Sequence, residues 1–477
     1  MIDVSSLKQK IIDYATSGKL SSVCSDDENI EIVLSKLPTI SSKREKLLEH
    51  SPEYDEKYTI PHHWRWVRLG EISTYGDTPN KVKPTEIKDG TWLLELEDIE
   101  VGGMLLAKKR YSIRKSVGEK TVFKKGQILY SKLRPYLKKV LIADEDGVST
   151  PELISFEVMG GIDARYITYC LVNSYVDKVI NKRSYGIKMP RVDVCFMVNL
   201  PIPLPPINEQ KRIVERVDEI FKLLDKIDTL QGQYQNNVEV LKSKIIDAGI
   251  RGQLTEQLSE DGTAEELYQT IQAEKAKLIK EKKIKKEKPL PEITAAEIPF
   301  EIPENWKWVR LGEIASKISS GNTPPGGKKS DAYVKEGYSF FREQNIYNDG
   351  IRSTGLVYIT EELLEKRPNS TVLPKDILLN ITGGSIGRCA IVPDDFTKGS
   401  INQHILIVRL VNLELRSYIH HYICSEQGQK YIKGNAVGDK DGFSGGRCKN
   451  MIVPLPPLSE QKRIVAKIDS VLGAIGK

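Results

Sequence analysis

The sequence predicts a mixed α/β (α+β) protein. Two similar globular domains should be separated by an antiparallel pair of long helices, with pseudo-two-fold, circularly permuted repeats. Three observations predict this architecture. Three sequence segments each occur twice, a central segment carries a long heptad pattern, and two stretches between the repeats share turns and strands but few surface residues. Repetition at a long interval indicates a structural unit that is used more than once.

The duplicated segments occur in a permuted order. The central copy is continuous, with EQKRIV at 209–214 followed by LKSKIID at 241–247. The other copy is divided between EQKRIV at 460–465 and LKQKIID at 7–13. Longer matches surround these pieces: IPHHWRWVRLGEI (60–72) with IPENWKWVRLGEI (302–314), identical at ten of thirteen positions, and PLPPINEQKRIV (203–214) with PLPPLSEQKRIV (454–465), identical at ten of twelve.

The central segment is predicted to be one long helix. Its apolar residues recur at spacings of four and three, which is typical of a coiled-coil seam, and the divided copy keeps the same spacing. Two amphipathic helices packed on ordinary cores remain the alternative. The residues predicted to pair the helices, or to meet a partner, are Ile213, Val217, Ile220, Leu224, Ile227, Leu241, Ile245, Leu7, Ile11, Ile464, Ile468 and Val471.

The Trp-x-Trp segments alternate apolar and polar residues, which predicts a short strand that ends in a turn at Gly70 or Gly312. We expect their tryptophans to seat each domain against its neighbour. Stacking of these tryptophans on nucleic acid is the less favoured alternative. The tryptophans are the same in both copies, whereas residues that recognise different base sequences should differ between the copies. The lysines between 275 and 288 are interpreted as a solvated helix end that leads into a Pro-rich joint.

The stretches at about 73–202 and 315–453 share a pattern but not a surface. GDTP (76–79) corresponds to GNTP (321–324), and each stretch returns through a Gly-containing loop. Arginine, asparagine and glutamine can read base edges, and lysine can hold phosphates, although each residue could equally be an ordinary exposed polar side chain. The candidate DNA-binding residues are Tyr130, Lys132, Arg134, Tyr136, Lys138, Lys139, Tyr185, Lys188, Arg191, Arg342, Gln344, Asn345, Arg388, Asn402, Gln403, His404, Lys440 and Arg447.

Composition narrows the functional classes. With 71 Lys+Arg and 65 Asp+Glu, the net charge of +6 excludes a polycation but allows local basic patches. No run of about 18 apolar residues predicts a membrane span, and no secretory signal is recognisable at the N-terminus, so we expect a cytoplasmic protein. The six cysteines contain no Cys-x-x-Cys, which predicts neither a disulfide scaffold nor a zinc knuckle.

The sequence shows no catalytic set, so we expect no catalytic and no metal-binding residues. The Asn-Pro-Pro-aromatic or Asp-Pro-Pro-aromatic tetrapeptide of amino-methyltransferases is missing, and GNTPPGGKKS (321–330) has Gly327 where a phosphate-binding loop needs lysine. The pairs His62-His63 and His420-His421 are adjacent and lack helical i, i+4 ligand spacing. A two-domain protein-binding scaffold remains open as an alternative, and a fused methyltransferase or nuclease is disfavoured.

The order of these repeats, with the central helix and its divided copy, resembles that of the specificity (S) subunit of type I restriction–modification systems. The resemblance covers essentially the whole chain. The resemblance implies two target-recognition domains, each reading one half of a bipartite asymmetric DNA site, and helices that set the unread gap. It implies two methyltransferase (M) subunits as partners, and restriction (R) subunits where the system has them. S-adenosylmethionine, ATP and Mg would then belong to the partner subunits, with no cofactor bound by this chain and no membrane partner.

On this interpretation the chain has five segments. One departure is that the divided helical copy lacks eight residues of the central copy, which puts the symmetry of the ruler in doubt. The expected segments are 1–50 (N-terminal helix and connector), 51–206 (first target-recognition domain), 207–290 (central helix and Lys-rich linker), 291–457 (second target-recognition domain) and 458–477 (short C-terminal helix).

Overall fold

The computed structural model describes residues 1–50, 57–111, 118–186, 189–324, 332–436 and 442–475. The chain divides into two compact units, residues 1–233 (unit 1) and 234–477 (unit 2). A continuous helix, α8, runs through the division between them. Among the described residues, no helix combines the length and the apolar character needed to cross a membrane.

The described residues of unit 1 form three sheets with helices packed on them. A five-stranded sheet has the order β2-β5-β8-β3-β4, in which β3 and β8 are parallel, a three-stranded sheet has the order β7-β6-β9, and β1 pairs with β10. Its strands are β1 (Arg65–Arg68), β2 (Lys81–Val82), β3 (Trp92–Leu94), β4 (Lys109–Arg110), β5 (Lys120–Phe123), β6 (Ile128–Ser131), β7 (Val140–Ile142), β8 (Gly147–Ser149), β9 (Leu153–Phe156) and β10 (Pro201–Leu204). The helices are α1 (Val4–Thr16), α2 (Ile30–Ser35), α3 (Ser42–Glu49), α4 (Leu69–Ile72), α5 (Ala164–Val172), α6 (Ser174–Arg183), α7 (Val194–Val198) and α8 (Ile207–Ile250).

Unit 2 repeats this plan. Its five-stranded sheet has the order β13-β17-β14-β21-β18 with β14 and β21 parallel, a four-stranded sheet has the order β12-β22-β19-β20, and β11 pairs with β23. After α8, its helices are α9 (Ala264–Lys280), α10 (Leu311–Ile314), α11 (Glu361–Glu365), α12 (Arg416–Cys424), α13 (Glu426–Gly434), α14 (Gly445–Asn450) and α15 (Leu458–Ile475). The strands are β11 (Lys307–Arg310), β12 (Ala315–Ser320), β13 (Tyr333–Val334), β14 (Tyr338–Phe341), β15 (Ile346–Tyr347), β16 (Gly350–Ile351), β17 (Val357–Ile359), β18 (Thr371–Val372), β19 (Ile377–Asn380), β20 (Cys389–Ile391), β21 (Gly399–Ile401), β22 (Ile405–Leu410) and β23 (Ile452–Leu455).

The repeated segments form the same buried junction in both units. The indole N–H of Trp64 donates to Glu209 at 3.0 Å, and that of Trp306 donates to Glu460 at 2.8 Å. Only 2% of Trp64 and 6% of Trp306 are exposed. These two tryptophans therefore have no free face on which a base could stack. The predicted mixed fold with duplicated domains is confirmed.

The permutation is visible in the ion pairs that accompany this junction. In unit 1, Arg212 of α8 pairs with Asp27, which lies early in the chain, at 2.8 Å. In unit 2, Arg463 of α15 pairs with Asp261, which follows α8, at 2.6 Å. Asp27 and Asp261 differ by 234 positions, the same offset as the repeat LKQKIID/LKSKIID. The residues near the N-terminus therefore form the same ion pair with the EQKRIV helix in unit 1 that the residues after α8 form in unit 2.

The central helix is continuous through Gly232, as the heptad pattern predicts. In unit 1, α1 lies antiparallel to it, with Ile2 N–H donating to Gln231 at 2.6 Å and Lys8 pairing with Asp225. In unit 2, Ile464 and Ile468 of α15 lie so close to Gly249 that a Cβ there would be 2.8 Å from Ile468. Each short helix therefore packs on part of the long one.

The predicted seam residues are covered unevenly. Leu241 is 46% exposed. Ile213, Val217, Leu224, Ile464 and Ile468 are buried, whereas Ile220, Ile227, Ile245, Leu7, Ile11 and Val471 are partly buried.

The turn predicted at Gly70 and Gly312 is instead the first turn of a short helix, α4 or α10. The glycine is needed there because a Cβ on Gly70 would lie 2.6 Å from the side chain of Val198. The Lys-rich region is largely the solvated helix end that the sequence predicts, since every lysine between 277 and 288 is exposed, and Lys275 is the exception. Thr263 caps α9, and Lys275 on that helix is partly buried and donates to the carbonyls of Gly312 and Glu313 at 2.6 and 3.2 Å.

Candidate nucleic-acid interface

The parallel strand pair creates an equivalent edge in each unit. In unit 2, β14 ends at Phe341 and β21 at Ile401, and these two residues are paired in the sheet. The polar residues that follow the two strands therefore meet at one end of the sheet, where open α/β sheets commonly bind ligands. We refer to the opening at this end of unit 2 as the unit 2 cleft. It has a volume of about 180 Å³ and is lined by Thr323, Tyr333, Phe340, Arg342, Glu343, Gln344, Asn402, Gln403 and His404.

The cleft brings together five of the predicted residues: Arg342, Gln344, Asn402, Gln403 and His404. Arg342 donates from its terminal nitrogen to the Gly355 carbonyl, while its buried Nε–H has no acceptor among the described residues. Gln403 accepts from the backbone and hydroxyl of Thr323 in the GNTP segment. His404 Nδ1 lies 2.7 Å from the Thr382 hydroxyl. The side chains are thus held in a polar network that retains free hydrogen-bonding capacity at Arg342.

Glu343 also lines the cleft, and sequence reasoning missed it. Burial alone would raise the pKa of Glu343, but the 2.7 Å hydrogen bond from Asn402, a backbone N–H and the neighbouring His404 and Arg342 together lower it. An ionised carboxylate at this place can accept a hydrogen bond from the amino group of a base such as cytosine. Glu343 is not predicted from the sequence because an acidic side chain is an unusual contact for DNA, whereas basic and amide side chains are the common ones.

Arg388 belongs to a second, partly exposed feature of unit 2. Its guanidinium stacks over the ring of Tyr347, 4.7 Å from the ring centroid, and Arg352 lies 5.2 Å from the same centroid. Two cations on one aromatic ring form a compact basic patch. A guanidinium held over an aromatic ring keeps its N–H donors available for bidentate recognition of a base or phosphate.

In unit 1 the structure joins two of the predicted loops. Leu133 and Tyr185 each form an isolated bridge with Arg191, and Arg134 N–H donates to the Pro190 carbonyl at 2.7 Å. Arg134 is exposed and has a left-handed backbone, with φ of 51°. Tyr136 and Tyr185 are 48% and 58% exposed. Exposed aromatic rings beside an exposed arginine suit contact with a nucleic-acid strand.

The lysines of unit 1 have structural partners. Lys138 donates to Gln9 at 3.0 Å and pairs with Asp177 at 3.2 Å, and Lys139 donates to the Leu96 carbonyl at 2.7 Å. Lys132 lies 3.9 Å from Glu152, which also pairs with Arg191 at 3.0 Å and raises the pKa of that guanidinium. A phosphate contact by Lys132 or Arg191 would compete with Glu152.

Two predicted residues lie in the interior instead of on the surface. Tyr130 belongs to β6, a strand buried along its whole length, and burial raises its pKa well above the ordinary range for tyrosine. Asn345 is fully buried, and its side chain donates to the carbonyls of Arg352 and Thr354 at 2.9 and 3.2 Å. Neither side chain offers a face to a base in this structure, because β6 is covered on both sides and the amide of Asn345 holds its own turn.

The remaining predicted residues lie near the return loops. Arg447 donates to the Gly442 carbonyl at 3.5 Å, close to the start of α14. Lys188 and Lys440 lie outside the described residues.

The corresponding edge of unit 1 has different chemistry. β3 and β8 are parallel and end at Leu94 and Ser149, as β14 and β21 do in unit 2. Glu95 and Glu97 then occupy the places of Arg342 and Gln344. Glu95 pairs with the buried Lys120 at 3.1 Å. At these two positions the same strand geometry therefore presents acidic side chains in unit 1, but a basic and an amide side chain in unit 2.

Comparison with known proteins identifies related chains. The family model for the type I restriction modification DNA specificity domain matches residues 61–239 and 303–476. The chain is 25% identical to the type I restriction enzyme EcoAI specificity subunit of Escherichia coli, over 99% of this chain and 90% of that one. It is 23% identical to the EcoEI specificity subunit of the same species, with 98% and 88% covered. A solved chain from work on complex assembly and conformational transition of the type I R-M system has the same fold, with a TM-score of 0.62, 21% identity and coverage of 88% of this chain and 93% of that one.

Proposed function

The chain belongs to the type I restriction modification DNA specificity family, and from this premise we propose that each unit reads one half of a bipartite, asymmetric DNA site. Its role is that of a DNA-recognition subunit. Recognition by unit 1 would use Glu95 at the sheet edge, together with Arg134, Tyr136 and Tyr185. Unit 2 would use Arg342, Glu343 and Arg388.

One observation carries this proposal: two units of the same construction present unlike side chains at the same edge. Glu95 in unit 1 replaces Arg342 of unit 2 at the end of the equivalent strand, whereas the buried Trp–Glu junction is identical in both. Acidic groups accept hydrogen bonds from cytosine, and arginine donates to guanine. A shared scaffold with different hydrogen-bonding groups suits a site whose two halves differ.

The long helix would set the spacing between the half-sites and dock partner subunits. Several large apolar side chains of α8 are exposed, among them Leu223, Leu230 and Tyr234. Exposed apolar side chains along one helix are typical of a surface that a partner covers. We propose that two methyltransferase subunits bind along these helices, and restriction subunits where the system has them.

Catalysis is assigned to those partners. S-adenosylmethionine, ATP and Mg would act in the methyltransferase and restriction subunits, and this chain would contribute no catalytic residue. The DNA that it reads would be cellular or incoming duplex DNA in the cytoplasm.

A segment exchange tests the modular reading. Residues 315–453 would be replaced by the equivalent segment of a related specificity subunit, and methylated adenines would be mapped in cells that carry the hybrid and its partners. One half of the methylated site should change while the other half stays the same. A change in both halves, or in neither, would refute modular reading by the two units.

A salt titration distinguishes DNA recognition from the alternative of a scaffold that binds only proteins. The assembled complex would be titrated with cognate duplex at increasing salt, since contacts with phosphates release counterions and make affinity fall steeply. If the complex assembles normally but this subunit shows no salt-dependent binding to the duplex, the result would favour the alternative that the chain is a scaffold that binds only proteins.

A further inference from the structure

Unit 2 contains a cluster of three side chains that could act as metal ligands, none of which lines the unit 2 cleft. Cys389 begins strand β20, while His420 and Cys424 lie four residues apart on helix α12. One potential ligand atom from each of the three residues lies within 4.8 Å of the others. The i, i+4 spacing puts His420 and Cys424 on one face of the helix, above the sulfur supplied by the strand.

The distance between the two candidate ligands on α12 matches a tetrahedral zinc site. Zinc binds cysteine sulfur at about 2.3 Å and histidine nitrogen at about 2.0–2.1 Å, so two such ligands at a tetrahedral angle lie about 3.6 Å apart. The Cys424 sulfur and His420 Nε2 are 3.6 Å apart. His420 Nε2 also lies 3.0 Å from the Cys389 carbonyl, to which it can donate a hydrogen bond. To bind an ion through Nε2, the imidazole would give up that hydrogen bond and turn away from the carbonyl, because the ion would otherwise collide with the carbonyl oxygen.

Unit 1 shows that the fold itself does not require these residues. The equivalent helix α5 has Thr168 and Val172 where α12 has His420 and Cys424, and the equivalent strand β7 has Val140 where β20 has Cys389. At each of the three positions, unit 2 thus has a side chain that commonly binds metal ions where unit 1 has one that does not. In unit 1, valine and threonine fill the contact between helix α5 and strand β7. Packing alone therefore does not explain why two cysteines and a histidine come together at the equivalent contact of unit 2.

We propose that Cys389, His420 and Cys424 form a site for one thiophilic divalent cation, with zinc as the natural occupant and water as the fourth ligand. Cys389 is buried, whereas His420 and Cys424 are partly exposed, so the ion enters from the α12 side. Thiolate and imidazole ligands select zinc over magnesium or calcium. Binding ties α12 to β20, next to Arg388, and displaces the protons of the two thiols.

The test uses the full chain and Co²⁺ as a spectroscopic substitute for zinc. We expect one Co²⁺ per chain, with the sulfur-to-metal charge-transfer absorption of thiolate ligation, displaced by one equivalent of Zn²⁺. The variants take their residues from unit 1, Cys389→Val, His420→Thr and Cys424→Val, so that the fold tolerates them. Each should weaken zinc binding by more than about 100-fold, beyond the usual effect of losing an outer-shell partner.

Cys195→Ala is the matched control, because Cys195 is a partly exposed cysteine of unit 1 that lies outside the cluster. It should bind Co²⁺ like the unaltered chain. Folding of every variant is checked by circular dichroism and by thermal unfolding without metal. The proposal fails if the unaltered chain shows no thiolate charge-transfer absorption, or if a folded Cys424→Val variant keeps it at full intensity.

Discussion

The buried Trp–Glu junction should be decisive for the stability of each unit, and Glu460→Ala tests this in unit 2. Glu460 is buried and accepts its two shortest hydrogen bonds from Trp306 at 2.8 Å and from Gln257 at 3.0 Å, with a longer one from the Thr255 hydroxyl at 3.5 Å. The substitution removes both acceptors at once. Trp306 would then keep a buried N–H without a partner, because its side chain cannot reach solvent.

The cost follows from these two bonds. A buried donor left unsatisfied costs about 1–3 kcal/mol, and a hydrogen bond to a charged group contributes about 1.5–3 kcal/mol. Gln257 is exposed and can turn to water, so only part of its bond is lost. We therefore expect the free energy of unfolding of unit 2 to fall by about 2–4 kcal/mol, a decrease in Tm of roughly 5–15 °C for a unit of this size.

The assay must resolve the two units, because a chain with two units need not unfold in one step. Hydrogen exchange followed by mass spectrometry reports on each unit separately. Glu460→Ala should increase exchange around β11 and the start of α15, while unit 1 keeps its protection. Glu209→Ala, the equivalent substitution in unit 1, should produce the reverse pattern.

Glu414→Ala is the control for loss of a carboxylate. Glu414 is exposed and forms only a surface pair with Lys462, so the change should cost little. The reasoning would be refuted if Glu460→Ala unfolded like Glu414→Ala, or if it loosened both units equally.

Three further predictions address charge. The guanidinium of Arg463 lowers the pKa of Asp261 below 3.8, so the pair stabilises the folded state above about pH 4 and loses this effect in acid. Asp261→Asn should therefore lower Tm at pH 7. If the difference in Tm between the variant and the unaltered chain were the same at pH 3 as at pH 7, the argument would be contradicted. Burial, with the nearby Arg409, holds the pKa of Lys317 at about 8 instead of 10.5, so the folded state binds fewer protons than the unfolded state between those values. Lys317→Met should therefore raise Tm most below pH 8, and its advantage should fade towards pH 10.5, as thermal scans across pH would show. Arg388→Ala should weaken cognate DNA binding roughly tenfold or more if that side chain reads a base, and unchanged binding in a filter assay would remove it from the interface.

The scaffold could be predicted from sequence because its determinants are repeated. Trp64 and Trp306 occur in nearly identical segments, and identical local sequences with identical partners fold in the same way. The permuted order of EQKRIV and LKQKIID then indicated which separated pieces belong together, as the equivalent pairs Arg212–Asp27 and Arg463–Asp261 show.

The site was harder to predict because surface and interior residues look alike in a single sequence. Tyr130 and Tyr136 lie six positions apart in one basic segment, yet one is buried in a doubly covered strand and the other is half exposed. Alternation along a strand assigns faces only where one side meets water. The cluster of Cys389, His420 and Cys424 is hidden in the sequence for a related reason, because Cys389 lies 31 residues before His420 and only the fold brings it to the i, i+4 pair on α12.

The two units serve as an internal comparison that separates scaffold from readers. Asp98 and Asn345 differ in chemistry, yet each accepts a hydrogen bond at 3.0 Å from the backbone N–H three residues earlier, so both hold the same turn. Glu95 and Arg342 also differ, but they follow the parallel strands without a shared bonding role. A difference that preserves a hydrogen bond belongs to the fold, whereas one that changes the bonding partner can alter what the surface recognises. By this criterion the positions of Glu95 and Arg342, and not those of Asp98 and Asn345, are where the specificities of the two units should diverge.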